Sequence, residues 1–294
     1  MKTTPLLALI ALSPTIAFAA IDSAKIEAAT GLKGTLNEAE GVFKVSAPRT
    51  DVKIAVDGWQ MPPFMGLTSW AAFTAGKSAE AMVMGDLVLF QDEVNPVMSA
   101  ALDAGLSVTA LHNHFFFDEP KVFFMHIGGE GTVEKLGAAV KTALDKAKEI
   151  RAATPTPGNV FGAGFAPTRN SITAASLEPI LGGKATAKDG MAKFVFGRSA
   201  KMPCGCEVGK EMGVNTWAAF AGTDDNAVVD GDFCVLGTEL QPLLKSLRAD
   251  GINVVAIHQH MAMEEPRYLF FHYWGTGSAQ KLATSVKNAL ALLK

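Results

Sequence analysis

Alternating apolar and polar positions predict several strands in the first half of the chain. The segments VFKVSA (42–47), WAAFTA (70–75) and DLVLF (86–90) carry this pattern. Because side chains point to opposite faces of a strand in turn, a period of two indicates a sheet that buries at least one face.

Two helices are predicted after these strands. Asn95-Pro96 indicates the start of the first, since Asn caps helices and Pro suits their first turn, and Gly105 indicates its end. The second covers residues 131–150, and its apolar side chains share one helical face: Val133, Leu136, Val140 and Leu144. A further strand leads from the first helix into a histidine-rich segment.

The same order of segments occurs twice. SWAAFTAG (69–76) recurs as TWAAFAG (216–222), and VEKLGAAVKTAL (133–144) recurs as AQKLATSVKNAL (279–290). In the second half the first helix is expected from near Pro242 to Gly251. Self-similarity over this length indicates duplication of one domain and excludes a solenoid of short repeats.

We therefore predict two tandem copies and an α+β fold. Copy one covers residues 20–150 and copy two covers residues 171–294, and the connector at 151–170 is rich in Pro, Gly and Ala. Each copy is expected to be a mainly antiparallel sheet with helices packed on it. A pseudo-twofold axis would relate the copies.

Composition narrows the class of protein. The 294 residues are 49% hydrophobic and 19% charged, with a formal net charge of −3. Such a chain can bury a large core, and its charge gives no attraction for nucleic acid or an anionic membrane surface. Residues 1–19 resemble a signal peptide, with Lys2, an apolar run and a small-x-small end at Ala19, and no later run reaches membrane-spanning length. We expect an exported protein, periplasmic or secreted, and no Cys follows the cleavage site for a lipid anchor.

The cysteines occur in copy two alone, at Cys204, Cys206 and Cys234. Cys204 and Cys206 could bind a soft metal, or one of them could pair with Cys234, and export permits disulfides. The simpler interpretation is small buried thiols with at most one disulfide.

All six histidines lie in two matching segments, TALHNHFFFDEPKVFFMH (109–126) and VAIHQHMAMEEPRYLFFH (255–272). His112 and His114 are two residues apart, so they share one face of a strand. A hairpin folded symmetrically at Glu119 would place His126 opposite His112. The same spacing brings together the histidines of copy two: His258, His260 and His272. Each hairpin is therefore predicted to be a three-His site for a divalent transition metal.

Glu119 and Glu265 are the candidate catalytic residues. A symmetric hairpin puts each carboxylate at the tip, away from the histidines, whereas an asymmetric turn would bring it closer; Asp118 and Glu264 raise the same question. Histidines alone suit Zn or Cu, while ligation by Glu119 and Glu265 would favour Mn or Fe. As a general base, either glutamate would act on a metal-bound water.

The alternative is that the histidines are neutral core residues, since His112 continues an apolar strand face. Other matched residues are assigned structural roles. Trp70 and Trp217 are expected to be core or interface anchors. Three further pairs follow the same logic: Asp86 and Asp232 are expected in turns after glycines, Glu93 and Glu239 before a helix start, and the glycines at 128 and 275 in turns.

The segments ALHNHFFFDEPKVFFMHIGG and AIHQHMAMEEPRYLFFHYWG, with the WAAF segments before them, resemble the LppY/LpqO family of exported bacterial proteins. This resemblance covers nearly the whole mature chain and implies export and a tandem domain of unknown function. The spacing of His112, His114 and Glu119 is also similar to the first cupin motif, as an analogy in ligand spacing, although His126 falls where a cupin has Gly.

These observations predict an exported metal-binding protein that is either a metal-dependent hydrolase or a metal carrier. Its partners would be the metal ion and a small-molecule or cell-envelope ligand. The alternative function is a non-enzymatic cell-envelope binding module whose histidines are structural.

Overall fold

A computed structural model gives the fold of residues 21–159 and 167–294. The predicted signal peptide, residues 1–19, lies outside the described residues, and so does the middle of the predicted connector.

The helices and the strands of the large sheet follow the same order in both copies. The first copy contains α1 (Ser23–Thr30), β1 (Gly34–Asn37), β2 (Val42–Pro48), β3 (Ala55–Val56), β4 (Trp59–Gln60), β5 (Thr68–Ala75), β6 (Ala81–Phe90), α2 (Gln91–Asp103), β7 (Ser107–His112), β8 (Asp118–Glu119), β9 (Val122–Gly131) and α3 (Val133–Ala153). The second contains α4 (Ala174–Leu181), β10 (Thr186–Lys188), β11 (Met191–Gly197), β12 (Ala200–Lys201), β13 (Glu207–Val208), β14 (Asn215–Gly222), β15 (Ala227–Leu236), α5 (Gly237–Ala249), β16 (Asn253–His258), β17 (Tyr268–Gly277) and α6 (Ala279–Leu290).

Both copies contribute to one antiparallel sheet of 12 strands. Its order is β1-β2-β5-β6-β9-β7-β16-β17-β15-β14-β11-β10, so the second half repeats the first in reverse. The copies meet where β7 pairs with β16, through Leu111 and Ile257. This order confirms the predicted α+β class, the tandem copies and the pseudo-twofold relation.

The helices cover one face of this sheet. A single apolar core joins them to the sheet in both copies and includes Val140 of α3 and Val286 of α6. The predicted apolar face of α3 is confirmed, since Val133 and Leu136 are also buried. None of the helices in the described ranges combines the length and apolar character that crossing a membrane requires.

The opposite face carries a smaller core in each copy. In copy one, Val88, Phe90 and Phe124 pack under the segment that contains β3 and β4. In copy two, Cys234 and Phe270 do the same beneath β12 and β13. These cores cover only the end of the sheet nearest the hairpin turns, so the rest of this face stays accessible.

Side-chain amides hold the two copies together beside the central strand pair. Asn95 of α2 donates to the carbonyl of Val254 at 3.0 Å and accepts from its N–H at 2.8 Å. Gln241 of α5 makes the equivalent bonds to Val108, at 2.8 and 2.9 Å. Each copy thus completes the backbone hydrogen bonding of the other.

Replacing Asn95 with Ala should destabilise the protein by about 2–4 kcal/mol, because it leaves the buried N–H and C=O of Val254 without partners. Gln241→Ala is the matched control: Gln241 is only half-buried, so water can replace part of its bonding and the loss should be smaller. Urea unfolding with an unchanged slope measures both losses. A loss for Asn95→Ala within about 0.5 kcal/mol, as at an ordinary surface site, would contradict this assignment.

The predicted helix starts were wrong. Helix α2 begins at Gln91 and α5 at Gly237, so Pro96 and Pro242 lie inside their helices. The reason is that Glu93 and Glu239 act as caps within the first turn, where each carboxylate accepts the N–H three residues before it, at 2.9 and 2.7 Å. The helix ends were predicted well, since Gly105 and Gly251 follow them with positive φ.

Helix α3 runs to Ala153 and thus enters the predicted connector, because Arg151 is held in a buried ion pair. The copy boundaries at 150 and 171 stay predictions.

Candidate metal site

An aspartate and a histidine face each other across neighbouring strands in each copy. Asp86 of β6 is opposite His126 of β9, and Asp232 of β15 is opposite His272 of β17. Directly opposed side chains of an antiparallel pair have Cβ atoms about 4.5–5.5 Å apart. Neither aspartate lies in a turn, so that expectation was wrong.

The glycine before each aspartate lies within a strand and not in the expected turn. A Cβ at Gly231 would lie 2.2 Å from the hydroxyl of Tyr273, which crosses the strand to donate to the carbonyl of Trp217. Gly231 therefore permits close packing on the helix face. Asp232, the next residue, points to the open face.

The hairpin register differs from the predicted one by two residues. His112 lies opposite Phe124, and His126 lies opposite Ala110. A bulge between Val108 and Ala110 changes the pairing only beyond His126, where Val108 lies opposite Ile127. The hairpin is centred on Asp118 because this buried carboxylate accepts the N–H of Val122 at 2.7 Å across the turn. Glu264 does the same for Tyr268 at 3.0 Å in copy two.

The histidines nevertheless converge, on a diagonal. The ring centroids of His112 and His126 are 5.1 Å apart, and those of His258 and His272 are 4.7 Å apart. His114 and His260 follow the ends of β7 and β16 and reach the cluster because each stacks on a phenylalanine ring. The ring centroids are 3.3 Å apart for His114 and Phe124 and 3.5 Å apart for His260 and Phe270.

Copy two has the tightest arrangement. One ligand atom each of Asp232, His258 and His272 lies within 4.8 Å of the others, and this is the only such group in residues 21–159 and 167–294. His260 adds a fourth donor, since its Nε2 is 3.1 Å from His258 Nε2 and 3.3 Å from Asp232 Oδ2. Two backbone carbonyls orient the outer rings through Nδ1, Gly213 for His260 and Gly231 for His272, each at 3.3 Å.

The electrostatics of this cluster suit a cation. Asp232 is 2% exposed, and burial raises its pKa, although His272 and His260 oppose that shift. Burial, with help from His272 and His260, lowers the pKa of His258 to about 4, so this imidazole is neutral at physiological pH. Among the residues that the structure describes, Asp232 Oδ1 and His258 Nδ1 are buried without a hydrogen-bond partner, which is rare for polar atoms.

Copy one holds the four equivalent residues in a looser group. Burial raises the pKa of Asp86 against the opposing effect of His126, His114 and His112, and its Oδ1 is also without a partner. Burial lowers the pKa of His114.

Glu119 and Glu265 are not brought into either cluster. Glu119 is exposed in β8 and pairs through its backbone with Ala55, while Glu265 is exposed and its backbone exchanges hydrogen bonds with Lys201. Their catalytic assignment stays a prediction.

The cysteines take no part in the cluster. All three are free; Cys204 and Cys206 are exposed, which corrects the expectation of buried thiols, and only Cys234 is buried. Burial raises the pKa of Cys234 to about 12, so this thiol stays protonated beneath the site.

Asp86 and Asp232 are the site residues that sequence reasoning missed. The available signal was a carboxylate directly after a glycine in a largely apolar strand segment, at the same position in both copies. Trp70 and Trp217 are the cross-strand neighbours of these aspartates on the open face, and both are half-buried. They therefore flank the sites and are not anchors of the main core.

Together these features define a duplicated α+β protein with a histidine–aspartate cluster on the open face of each copy. The chain belongs to the family described as Domain of Unknown Function (DUF1259), whose model matches residues 24–146 and again residues 175–292. This confirms a tandem domain of unknown function, while the narrower LppY/LpqO resemblance stays a prediction.

Other comparisons add little. No curated protein matches the chain. Among solved structures, a trimeric bacterial microcompartment shell protein, PduB, matches 88% of this chain and 89% of its own at 12% identity. Its TM-score is 0.23, so nothing follows from it for the fold or the function.

Proposed function

We propose that the protein binds a divalent transition metal in copy two through Asp232, His258, His272 and His260, with an equivalent weaker site in copy one at Asp86, His112, His126 and His114. The observation that carries this proposal is the convergence of Asp232, His258 and His272, whose ligand atoms lie within 4.8 Å of one another, while Asp232 Oδ1 is buried without a hydrogen-bond partner among the described residues. A bound cation would satisfy the aspartate and offset the cost of burying it.

The donor set narrows the choice of metal. Imidazole suits Zn, Cu, Fe and Ni, whereas a carboxylate ligand moves the preference towards Mn or Fe. Two histidines and one carboxylate with open positions are also typical of non-haem iron sites. Asp232 would supply the carboxylate ligand for which Glu265 was one candidate, and we propose Zn, Fe or Mn ahead of Cu.

One side of the copy-two site is open. His260 has 34% of its side chain exposed and lines a surface cavity. Catalytic metal sites keep an open position, and a metal there lowers the pKa of bound water. We therefore propose a metal-dependent hydrolase ahead of a metal carrier.

The second candidate function is a cell-envelope binding module. It is favoured by the exposed aromatic side chains of copy one, Phe64 at 97%, Phe116 at 82% and Phe117 at 76%. Exposed apolar groups of this kind are typical of contact surfaces.

Metal content tests the proposal. Untagged protein incubated with Zn or Fe(II) and then dialysed should hold up to two equivalents, and elemental analysis should show the tighter equivalent lost in His258→Ala/His272→Ala. The matched variant His112→Ala/His126→Ala should lose only the weaker one. Protein that stays metal-free after loading, with unchanged stability under chelation, would contradict metal binding and favour the binding module.

The predicted export to the periplasm or the medium is part of the same proposal. It rests on the composition of residues 1–19 and on the LppY/LpqO resemblance. N-terminal sequencing of the protein recovered from the cell envelope would test it, with Ala20 as the expected first residue.

A further inference from the structure

A cavity of about 570 Å³ opens beside the copy-two cluster. Its wall includes His260, which is also the fourth donor of the cluster, and Gly213, whose carbonyl holds the His260 ring. The volume lies within the 300–1,000 Å³ typical of sites for small organic ligands. A molecule in this cavity would therefore adjoin the proposed metal position.

The chemistry of the wall is cationic and aromatic. Three lysines line it, Lys184, Lys193 and Lys210, against one carboxylate, Glu211. Trp217 forms another part of the wall and is the direct cross-strand neighbour of Asp232. The cavity thus lies between a surface of positive charge and the His260 side of the cluster.

The three lysines are not equivalent. Lys184 Nζ is 2.6 Å from Glu178, and Lys210 Nζ is 3.2 Å from Glu211. The ammonium of Lys193 instead lies 4.3 Å from the ring centroid of Trp217, and no ion pair of Lys193 occurs among the residues that the structure describes. The indole face therefore positions the Lys193 charge without neutralising it.

Copy one keeps two of the three lysines, since Lys33 pairs with Glu27 at 2.6 Å as Lys184 does with Glu178. Lys44 lies over Trp70 at the same 4.3 Å. The 3-10 turn of copy two, Lys210–Met212, begins with Lys210 and Glu211. The equivalent turn of copy one, Pro63–Met65, begins with Pro63 and the exposed Phe64. The Lys–Trp pair and the Lys–Glu pair are thus common to both copies, whereas Lys210 is specific to copy two.

We propose that this cavity binds the anionic group of a small organic substrate, a carboxylate or a phosphate ester, and places the rest of the molecule against the copy-two metal site. Lys193 contacts the anion, Trp217 positions Lys193, and Lys210 adds charge at the rim. This inference deepens the proposed function and rests on it for the role of the metal, but binding of the anion depends on the cavity alone.

Binding of three probes of similar size tests the charge selection. Calorimetry or ligand-observed NMR with the full chain, metal-free and Zn-loaded, would use benzoate, phenyl phosphate and the neutral benzamide. We expect both anions to bind the metal-free protein, and benzamide to bind neither form measurably. The tighter of the two anions would identify the substrate class.

Variants of Lys193 test the location. Lys193→Met should weaken anion binding about 10-fold or more, since one charge-assisted contact is lost, and Lys193→Arg should restore most of it. Lys44→Met, the copy-one equivalent, should leave binding unchanged. Matching thermal unfolding of the three variants would exclude a folding defect, because Lys193 is an exposed residue.

The outcomes separate the two proposals. Anion binding that survives in metal-free protein while Zn never binds would overturn the metal site and keep the cavity. Zn binding with no saturable anion binding, or with benzamide bound as tightly as benzoate, would overturn the cavity assignment alone. Anion binding that requires the metal and is unchanged in Lys193→Met would also overturn the cavity assignment, because the anion would then be a metal ligand only.

Discussion

Asp232→Asn should weaken metal binding at copy two on the order of 100-fold, and the metal-free protein should keep its stability or gain some. The first effect follows from losing a charged ligand, given that even outer-shell partners of a metal cost about 10–100-fold when removed. The second follows because Asp232 is 2% exposed and has an unpartnered oxygen, so its charge is costly without a cation.

The two effects together separate a ligand from a structural residue. Replacing a residue that only stabilises the sheet would lower the stability of the protein. Replacing a functional residue that is held in an unfavourable environment would not lower it. Competition with a chromophoric chelator gives the affinity, and urea unfolding of chelated protein gives the stability. Asp230→Asn is the matched control, because it removes the same charge from an exposed position on the same strand. An unchanged affinity in Asp232→Asn would remove this carboxylate from the site.

Glu93→Gln should destabilise the fold by about 3–5 kcal/mol, the usual loss when one partner of a buried ion pair is removed. Glu93 is fully buried, and its carboxylate accepts from Arg49 at 2.7 and 3.0 Å and lies 2.7 Å from Arg151 Nε. The substitution leaves two buried guanidinium groups around a neutral amide. Glu38→Gln, an exposed control in the same copy, should change stability by less than about 0.5 kcal/mol. Equal unfolding midpoints for the two variants would refute the structural importance of this ion pair.

The equivalent glutamate of copy two gives the pH dependence. Burial acts to raise the pKa of Glu239, but hydrogen bonds from Arg198 and from the N–H groups of Leu236 and Lys294 hold it below its usual value. A carboxyl group with a lowered folded-state pKa stabilises the protein above its unfolded pKa of about 4.3, and this stability is lost as pH falls through the folded value. The stability gap between wild type and Glu239→Gln should therefore be full near pH 7 and shrink in acid. A gap that does not change with pH would contradict this assignment.

The architecture could be predicted from the sequence because each copy provides an independent check on the elements predicted in the other. The same alternating segments, closing helix and histidine triplet occur in both halves, so each element was read twice. The helix starts could not be read this way. Asn95-Pro96 imitates a cap, and only the structure shows that Asn95 is used instead to bond Val254 in the other copy.

The sequence allowed the histidines of the candidate site to be predicted, but not its aspartates. The histidines could be grouped because strand periodicity and hairpin symmetry are local properties. The turn bond from Val122 to Asp118 that sets the hairpin register, and the strand pairing that presents Asp86 beside His126, could not be predicted from the local pattern. Glu119 is closer to the histidines in sequence than Asp86 is, yet it lies at the tip of the turn.

The strand pair β7–β16 at the centre of the sheet has the form of an isologous dimer contact, in which equivalent elements of two subunits meet across a twofold axis. Without the other copy, each half would end in a bare strand edge and in an amide, Asn95 or Gln241, with nothing to bond. Because the two copies are joined in one chain, their sequences can differ, whereas the subunits of a homodimer are identical. Copy two can then specialise its charged rim while copy one, with Pro63 and Phe64, diverges without loss of the shared interface.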